Sequence, residues 1–293
     1  MRGIILAGGV GSRLYPLTYS VNKHLLPVYD KPMIYYPLAT LMNSGIKEIL
    51  LISNPADIPA FKRVLGTGSH LGINLSYESQ EEPRGIVEAF LIAEKFIGNE
   101  NVALILGDNL FHGSGLGRNL ADFNHVDGAH IFAYRVNNPQ DYGVVEFDKN
   151  FKIVSISEKP SAPISNFAIP GLYFFDSSVK KLAKEVKVST RGEIEIVSLL
   201  EIYQDHKNIS AQLLPRGTVW LDAGSPKALS DASNFVRIIE ERQGYKIACL
   251  EEISWRLGLI SHSNLKKLVL SYPKSNYQSY LLDLLNQEFE KEL

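Results

Sequence analysis

Cysteine is almost missing from this chain: one residue in 293, Cys249, leaves no partner for an intrachain disulfide. No set of Cys and His stands at zinc-ligand spacing either, which argues against a structural zinc site. Long apolar runs are missing too. Nowhere do about 18 apolar residues follow one another, and the first apolar stretch is cut at Gly8 with no basic segment ahead of a signal-type core. These absences exclude a membrane span and a secretory leader as readings, and a soluble, cytoplasmic chain is expected. An excess of one charge is also lacking. Thirty basic against 32 acidic residues give a formal net charge of -2, so no surface for nucleic acid or an anionic membrane is indicated. A polyanionic ligand would have to be met by local charge. There is no internal repeat, low-complexity tract or clear linker.

What is present is a core-forming composition, 45% hydrophobic, of a length that fits one large domain or two small ones. The first 27 residues carry the strongest local signal. Gly3 to Leu6 reads as a buried strand, and it breaks into Ala7-Gly8-Gly9-Val10-Gly11-Ser12-Arg13, a glycine-rich turn ending in a cation. Such a turn lets successive N–H groups converge on an anion, with Arg13 and Lys23 adding full charges. It is neither a Walker A loop, which needs Gly-Lys-Ser/Thr at its end, nor a dinucleotide fingerprint, which needs glycine where Leu14 stands. A bare Gly-Gly-x-Gly also serves as an ordinary turn, so the residues alone leave a phosphate loop and a simple turn both open.

Downstream, Lys47 to Ser53, Asn74 to Ser79 and Val102 to Leu106 read as strands. Asp57 to Leu65 and Gly85 to Phe96 read as helices, the latter on apolar residues at 86, 90, 93 and 97. Prolines 27, 32 and 37 predict an extended segment from Leu26 with a helix opening near Pro37-Leu38. Alternating strands and helices imply a mostly parallel, Rossmann-like sheet covered on both faces, with ligands at the carboxyl ends of its strands. The middle changes to strand-like runs at Ala129 to Asn137, Gly143 to Phe147, Ile153 to Ser157 and Gly171 to Phe175, which predicts a smaller mixed or antiparallel layer. Asp176 to Val186, Glu193 to His206 and Lys227 to Gln243 read as helices, Ile209 to Leu213 as a strand, and the remainder as a helical C-terminal segment. The expected α/β arrangement is a single domain over 1–293: about 1–125 for nucleotide, about 126–225 for sugar, about 226–293 helical.

Two aspartates come just after apolar runs, Asp108 in VALILGDN and Asp222 in TVWLDAG. Each alone is an ordinary strand-end residue. Brought together they suit Mg²⁺, which takes one or two protein carboxylates and keeps several waters. Gln80, with Pro83 and Gly85, can meet the imide edge of thymine or uracil, because a carboxamide both donates and accepts. Glu158 and Lys159, beside Tyr142-Gly143 and Gly171-Leu-Tyr173, supply a carboxylate for sugar hydroxyls and a cation for a phosphate, although an adjacent Glu-Lys is also a common surface pair.

LAGGVGSRLYPLT followed by NKHLLPVYDKPMIYYPL resembles the signature of the sugar-nucleotide pyrophosphorylases, most of all the bacterial branch that couples dTTP to glucose 1-phosphate. The likeness runs over nearly the whole chain. It implies a Mg²⁺-dependent nucleotidyltransferase that makes dTDP-glucose and pyrophosphate for deoxysugars such as rhamnose, working as a homo-oligomer, a tetramer. By this resemblance Leu6, Gly8, Gly9, Gly11, Ser12, Arg13, Gln80, Pro83, Gly85 and Asp108 bind the nucleotide. Asn109, Tyr142, Gly143, Glu158, Lys159, Tyr173 and Arg191 bind the sugar phosphate, Asp108 and Asp222 hold the metal, and Arg13, Lys23 and Lys159 carry the catalysis. The pattern departs from the family at His24, Glu88, Ala223, Ser225, His112 and Gly117, which leaves base preference and feedback control open. A Glu88 near a triphosphate would repel it unless it faces away or meets a cation. A uridylyltransferase and a non-catalytic nucleotide-sugar sensor remain as alternatives. Apolar Ile253, Trp255, Leu257 and Leu259 near the charged C-terminus are expected to be covered, by a second subunit or by the chain's own core.

Overall fold

The computed structural model describes residues 1–189, 192–206 and 208–286. Its centre is a 10-stranded sheet. Four strands are parallel and adjacent in the order Val102–Leu106, Arg2–Leu6, Glu48–Ser53, Asn74–Ser79. The first three are apolar runs because both their faces are covered, while the edge strand Asn74–Ser79 buries only Leu75. Ile4 packs with Leu50 and Ile52 into one core beneath Val87, Phe90, Leu199 and Tyr203, while Ile5 packs with Ile49 and Leu51 into the other beneath Leu38, Leu41, Phe61 and Leu65. Successive strands lie on opposite sides of Arg2–Leu6, so the sheet changes winding direction there. A crevice opens at such a point, outside the carboxyl ends of the strands.

The antiparallel part continues the same sheet through Leu172–Phe175, which pairs with Val102–Leu106 on one side and Ala129–Arg135 on the other. Phe167–Ala168, Gly143–Phe147 and Ile153–Glu158 extend it outward, and Ile209–Leu213 joins Ala129–Arg135 in parallel. A separate two-stranded ribbon, Asn109–His112 with Val219–Asp222, stands beyond the strand ends. The C-terminal segment is helical: Pro226–Gln243, Leu250–Arg256, His262–Leu270 and Asn276–Asn286.

Several elements begin or end where local chemistry, not periodicity, decides. The helix expected near Pro37 spans Tyr35–Asn43. Pro37 fits its first turn because the N–H groups there have no intrahelical acceptor to lose. The helix read over Gly85 to Phe96 begins at Glu88, since Gly85 has φ +109° and Val87 gives its N–H to Ile194 O, and it is divided at Ala93 into Glu88–Ile92 and Glu94–Ile97. The helix read over Asp176 to Val186 is the single turn Val179–Leu182. The apolar C-terminal stripe is mostly covered from within: Ile253 and Leu259 pack on the sheet core and Trp255 on a C-terminal cluster, leaving Leu257 exposed.

Candidate active site

The glycine loop leaves the strand Arg2–Leu6 at the winding change. Ala7 is tied at both ends of its peptide, its N–H to Ile52 O at 2.7 Å and its carbonyl accepting from Ser53 Oγ at 2.8 Å. Gly11 sits at φ +64°, and a Cβ there would meet Thr18 Cγ2 at 2.8 Å. Thr18 Oγ1 in turn donates to Gly11 O at 3.0 Å. Leu14, where a dinucleotide loop would have glycine, is fully buried and anchors the turn.

Lys23 comes directly after an Asn22 cap. Asn22 Nδ2 donates to Ala7 O and to Asp57 Oδ2, so Asn22 Oδ1 is left to accept from His24 N at 2.9 Å and His24 Nδ1 at 2.8 Å. His24 Nδ1 therefore carries the ring proton. Burial first, and the neighbouring Lys23 second, push the His24 imidazolium down to about 3, so the ring is neutral. Gly107 is glycine because of this ring: a Cβ would lie 2.6 Å from His24 Cδ2.

Lys23 Nζ reaches Asp108 Oδ2 at 2.5 Å. Asp108 comes just after Val102–Leu106, and Asp222 ends the ribbon strand opposite Asn109, with Ala223 N donating to Asp108 O at 2.9 Å. The ribbon thus brings the two acids side by side, and their electrostatics differ. Burial alone would raise Asp108, but Lys23 and the Asn109 amide hold its carboxyl well below the usual range. Asp222 is pushed up to about 6 by burial and then by the Asp108 charge, and Arg13, Lys23 and the Gly224 N–H only partly offset this. A carboxylate pair in which one member repels the other is suited to a divalent cation, and the donor set, two carboxylates with room for phosphate oxygens, is that of a hard oxygen-seeking ion. Among the described residues no group of three or more His, Cys, Asp or Glu could hold a metal, so any ion here rests on these two acids and on ligand oxygens.

Two cavities meet at Asp108, Leu106 and Ile86. One, of about 190 Å³, is lined by Leu6, Gly8, Gly9, Lys23, His24, Gln80, Pro83, Gly85 and Glu193. The other, also about 190 Å³, is lined by Arg13, Asn109, Tyr142, Gly143, Glu158, Lys159, Gly171, Tyr173, Trp220 and Asp222. Lys159 adopts φ +42°, an uncommon left-handed conformation for a non-glycine residue, held by Lys159 N donating to Tyr142 O at 3.1 Å. Its side chain is half exposed and only 3.8 Å from Glu158.

The structure therefore gathers Leu6, Gly8, Gly9, Gln80, Pro83, Gly85 and Asp108 around one cavity and six expected sugar-phosphate residues around the other. Gly11 and Ser12 line neither. Arg13 lines the second cavity, beside Gly224 and Asp222: a Cβ on Gly224 would meet Arg13 Nη2 at 2.6 Å. The Asn109 amide is occupied within the protein, accepting from Gly171 N and Trp220 Nε1 and donating to Asp108 Oδ1. Arg191 lies outside the described residues. The partner of Glu88 is a neutral amide and not a cation: its carboxylate accepts from Gln80 Nε2 at 2.7 Å. Ser225 caps the helix Pro226–Gln243 and Ala223 is fully buried in its packing. His112 and Gly117 stand elsewhere, in a separate cavity of about 240 Å³ with Tyr36, Asn43, Lys246 and Arg256.

Trp220, missed in the sequence, packs edge-on against Tyr142 at 5.0 Å and Tyr134 at 5.7 Å. Its place in the run before Asp222 was the available signal. Glu193, also missed, had no signal, since only the chain's return past Gly85 brings it to the cavity.

A nucleotidyl transferase family profile matches residues 2–238. A glucose-1-phosphate thymidylyltransferase of Mycolicibacterium smegmatis is 55% identical over 288 residues, 98% of this chain and 100% of that protein. One from Neisseria meningitidis is 50% identical over 98% of this chain and 100% of its own length. Among solved structures, a Bacillus anthracis protein described as a glucose-1-phosphate thymidylyltransferase, bound to sucrose, superposes with TM-score 0.75 at 37% identity, covering 81% of this chain and 95% of that one. A UDP-glucose pyrophosphorylase complexed with UDP-glucose gives 0.70 at 25% identity, over 81% of this chain and 98% of that one. With a loop of this geometry, two facing acids and relatives this similar along their whole length, the chain belongs to the nucleotidyl transferase family, in its glucose-1-phosphate thymidylyltransferase branch.

Proposed function

We propose that the protein joins the thymidylyl group of dTTP to α-D-glucose 1-phosphate, giving dTDP-glucose and pyrophosphate. The observation that carries this reading is the meeting of two cavities at the Lys23–Asp108 pair opposite Asp222, one lined by the glycine loop and Gln80, the other by Glu158 and Lys159. The nucleophile needs no activation by a base, because a sugar phosphate oxygen is already anionic. The new P–O bond forms to the α-phosphorus as the bond to the pyrophosphate oxygen breaks opposite it. The residues work by positioning and by meeting charge.

In this reading residues of about 1–125 bind the nucleotide, about 126–225 the sugar and about 226–293 form the helical tail. Gln80 and Gly85 face the base, and Lys23 turns from Asp108 toward the α-phosphate. Arg13 meets phosphate from beside Asp222, and Lys159 aims the nucleophile. Asp108 and Asp222 would hold Mg²⁺, which when bound neutralises phosphate charge and orients phosphate oxygens. The same reading includes a tetramer in the cytoplasm serving deoxysugar synthesis. No helix among the described residues is long and apolar enough to cross a membrane.

The test is pyrophosphate release over a matrix of nucleoside triphosphates and hexose 1-phosphates. The dTTP and glucose 1-phosphate pair is expected to give the highest kcat/KM, with some use of UTP. Higher kcat/KM with UTP would make the chain a uridylyltransferase, and no turnover with any pair would favour a sensor. Light scattering at micromolar concentration checks the tetramer, and a monomer mass would exclude it.

A further inference from the structure

Gln80 begins where the strand Asn74–Ser79 ends, its N–H held by Ser53 O at 2.8 Å. Its side chain is buried, and both amide hydrogens are engaged: Nε2 donates to Gly85 O at 3.3 Å and to Glu88 Oε2 at 2.7 Å. The first acceptor is fixed by the backbone. Gly85 has φ +109°, a Cβ there would lie 2.5 Å from Ile194 O, and the bonds Ile194 N to Arg84 O and Val87 N to Ile194 O pin the turn on both sides. Glu88 is the first residue of the helix Glu88–Ile92.

Two acceptors at one end of a carboxamide oblige that end to be the NH₂ group. The orientation thus follows from the partners' chemistry and not from the placement of indistinguishable atoms. What remains for a ligand is Gln80 Oε1, which hangs over Gly8 closely enough that a Cβ there would be 2.5 Å away. Gly8 and Gln80 line the same cavity. A free glutamine offers a donor and an acceptor alike; this one offers an acceptor only.

We propose that Glu88 is a positioning residue for base choice: by taking one Gln80 amide hydrogen while Gly85 O takes the other, it presents Oε1 alone, so the cavity accepts a pyrimidine carrying N3–H and rejects one carrying a bare N3. Thymine and uracil have that hydrogen; cytosine has a lone pair there. This inference rests on the functional reading above, and it gives the acidic residue at 88 a role beyond tolerating a nearby triphosphate.

The experiment compares dTTP, UTP and dCTP, by kcat/KM with glucose 1-phosphate and by calorimetric Kd, for the wild type, Glu88→Gln and Glu88→Ala. Alanine keeps the helix start, and Gly85 O still accepts, so the dTTP-over-dCTP preference is expected to fall about tenfold, the scale of one net hydrogen bond to a charged group. It should fall mainly through weaker dTTP binding. Glu88→Gln, whose carbonyl can still accept, should keep most of the preference. The dTTP-to-UTP ratio should hold in all three proteins, since both bases carry the same hydrogen. N3-methyl-dTTP should bind the wild type at least about tenfold more weakly than dTTP. Equal losses for dTTP and dCTP in Glu88→Ala, or tight binding of N3-methyl-dTTP, would overturn this inference and leave the thymidylyl reading standing. Failure of the wild type to bind or turn over any of the three would overturn both.

Discussion

The two walls of the cleft carry similar groups and hold them differently. On the wall built at the ends of the parallel strands, polar groups are buried and tied to one another: Lys23 to Asp108, His24 to Asn22, Gln80 to Gly85 and Glu88. On the wall made by the ribbon and the antiparallel strands, Arg13 and Lys159 are exposed, Lys159 sits 3.8 Å from Glu158, and Asp222 carries a charge its surroundings resist. One wall is assembled before a ligand arrives, while the other keeps its two cations exposed. That division suits a site in which a nucleotide docks first on fixed groups and phosphate and metal then satisfy the second wall.

Neutralising each acid is expected to have the largest effect. Asp108→Asn and Asp222→Asn are each expected to lower kcat by about 10²–10³-fold, and, on the proposal that both acids serve one ion, the double variant should be little worse. Stability should split them. Asp222→Asn removes a charge held up by burial and by Asp108, and should raise stability by about 1–2 kcal/mol. Asp108→Asn strands Lys23 and should cost about 3 kcal/mol. Magnesium titrations of kcat with thermal unfolding read both. If the two variants shift Tm in the same direction, the walls do not differ in the way described.

A second comparison uses two glycines. Alanine at Gly8 would meet Gln80 Oε1 at 2.5 Å, and Gln80 cannot yield without losing two hydrogen bonds. The KM for nucleotide should rise about tenfold with a smaller change in kcat. Alanine at Gly224 would meet Arg13 Nη2 at 2.6 Å, the tip of a flexible side chain that can swing aside, and Asp222 Oδ1 at 2.8 Å, so both charged groups must shift. There kcat should fall about tenfold with little change in Tm.

Acid separates buried histidines from the acids. His24 and His130 are pushed down to about 3 and about 4, in both cases chiefly by burial, from an ordinary 6.5. Because the unfolded chain takes up those protons first, stability is full above about pH 6.5 and falls as pH drops toward 4, by about 1 kcal/mol per pH unit for each ring. Asp222 acts oppositely between 3.8 and about 6, where the folded state holds the extra proton. His130→Gln, away from the cleft, should flatten the acid limb of a Tm-against-pH curve without altering kcat; an unchanged limb would contradict the assignment. The smallest effect is expected at Trp220→Phe. It removes the 2.6 Å bond to Asn109 Oδ1 and should cost about 1 kcal/mol of stability, with a KM for the sugar phosphate raised a few-fold.

Much of the nucleotide wall was legible because buried parallel strands are continuous apolar runs, and the residues just after such a run sit at the strand's carboxyl end. Ala7 and Asp108 could be placed at strand ends for that reason, whereas Gln80 follows the polar edge strand Asn74–Ser79 and was picked out by its amide chemistry. The ribbon Asn109–His112 with Val219–Asp222 was not legible as a pair, since Asn109 and Trp220 lie 111 residues apart and no local pattern sets the register of their strands. Nor was Glu88 legible as a partner of Gln80, because the helix start that orients it is imposed by Ile194 bonding to Arg84 and Val87.

Local sequence therefore determined the fold class, the glycine turn and the residue types available for phosphate, base and sugar, all of which derive from short-range sterics and hydrophobic patterning. Tertiary structure alone decided that Asp222 faces Asp108, that Arg13 lines the cavity of Tyr142 and Glu158, and that Gln80 shows its oxygen. Each of these depends on which distant backbone groups share a hydrogen bond and on how much water their burial removes, and neither quantity is written in any contiguous stretch of the chain.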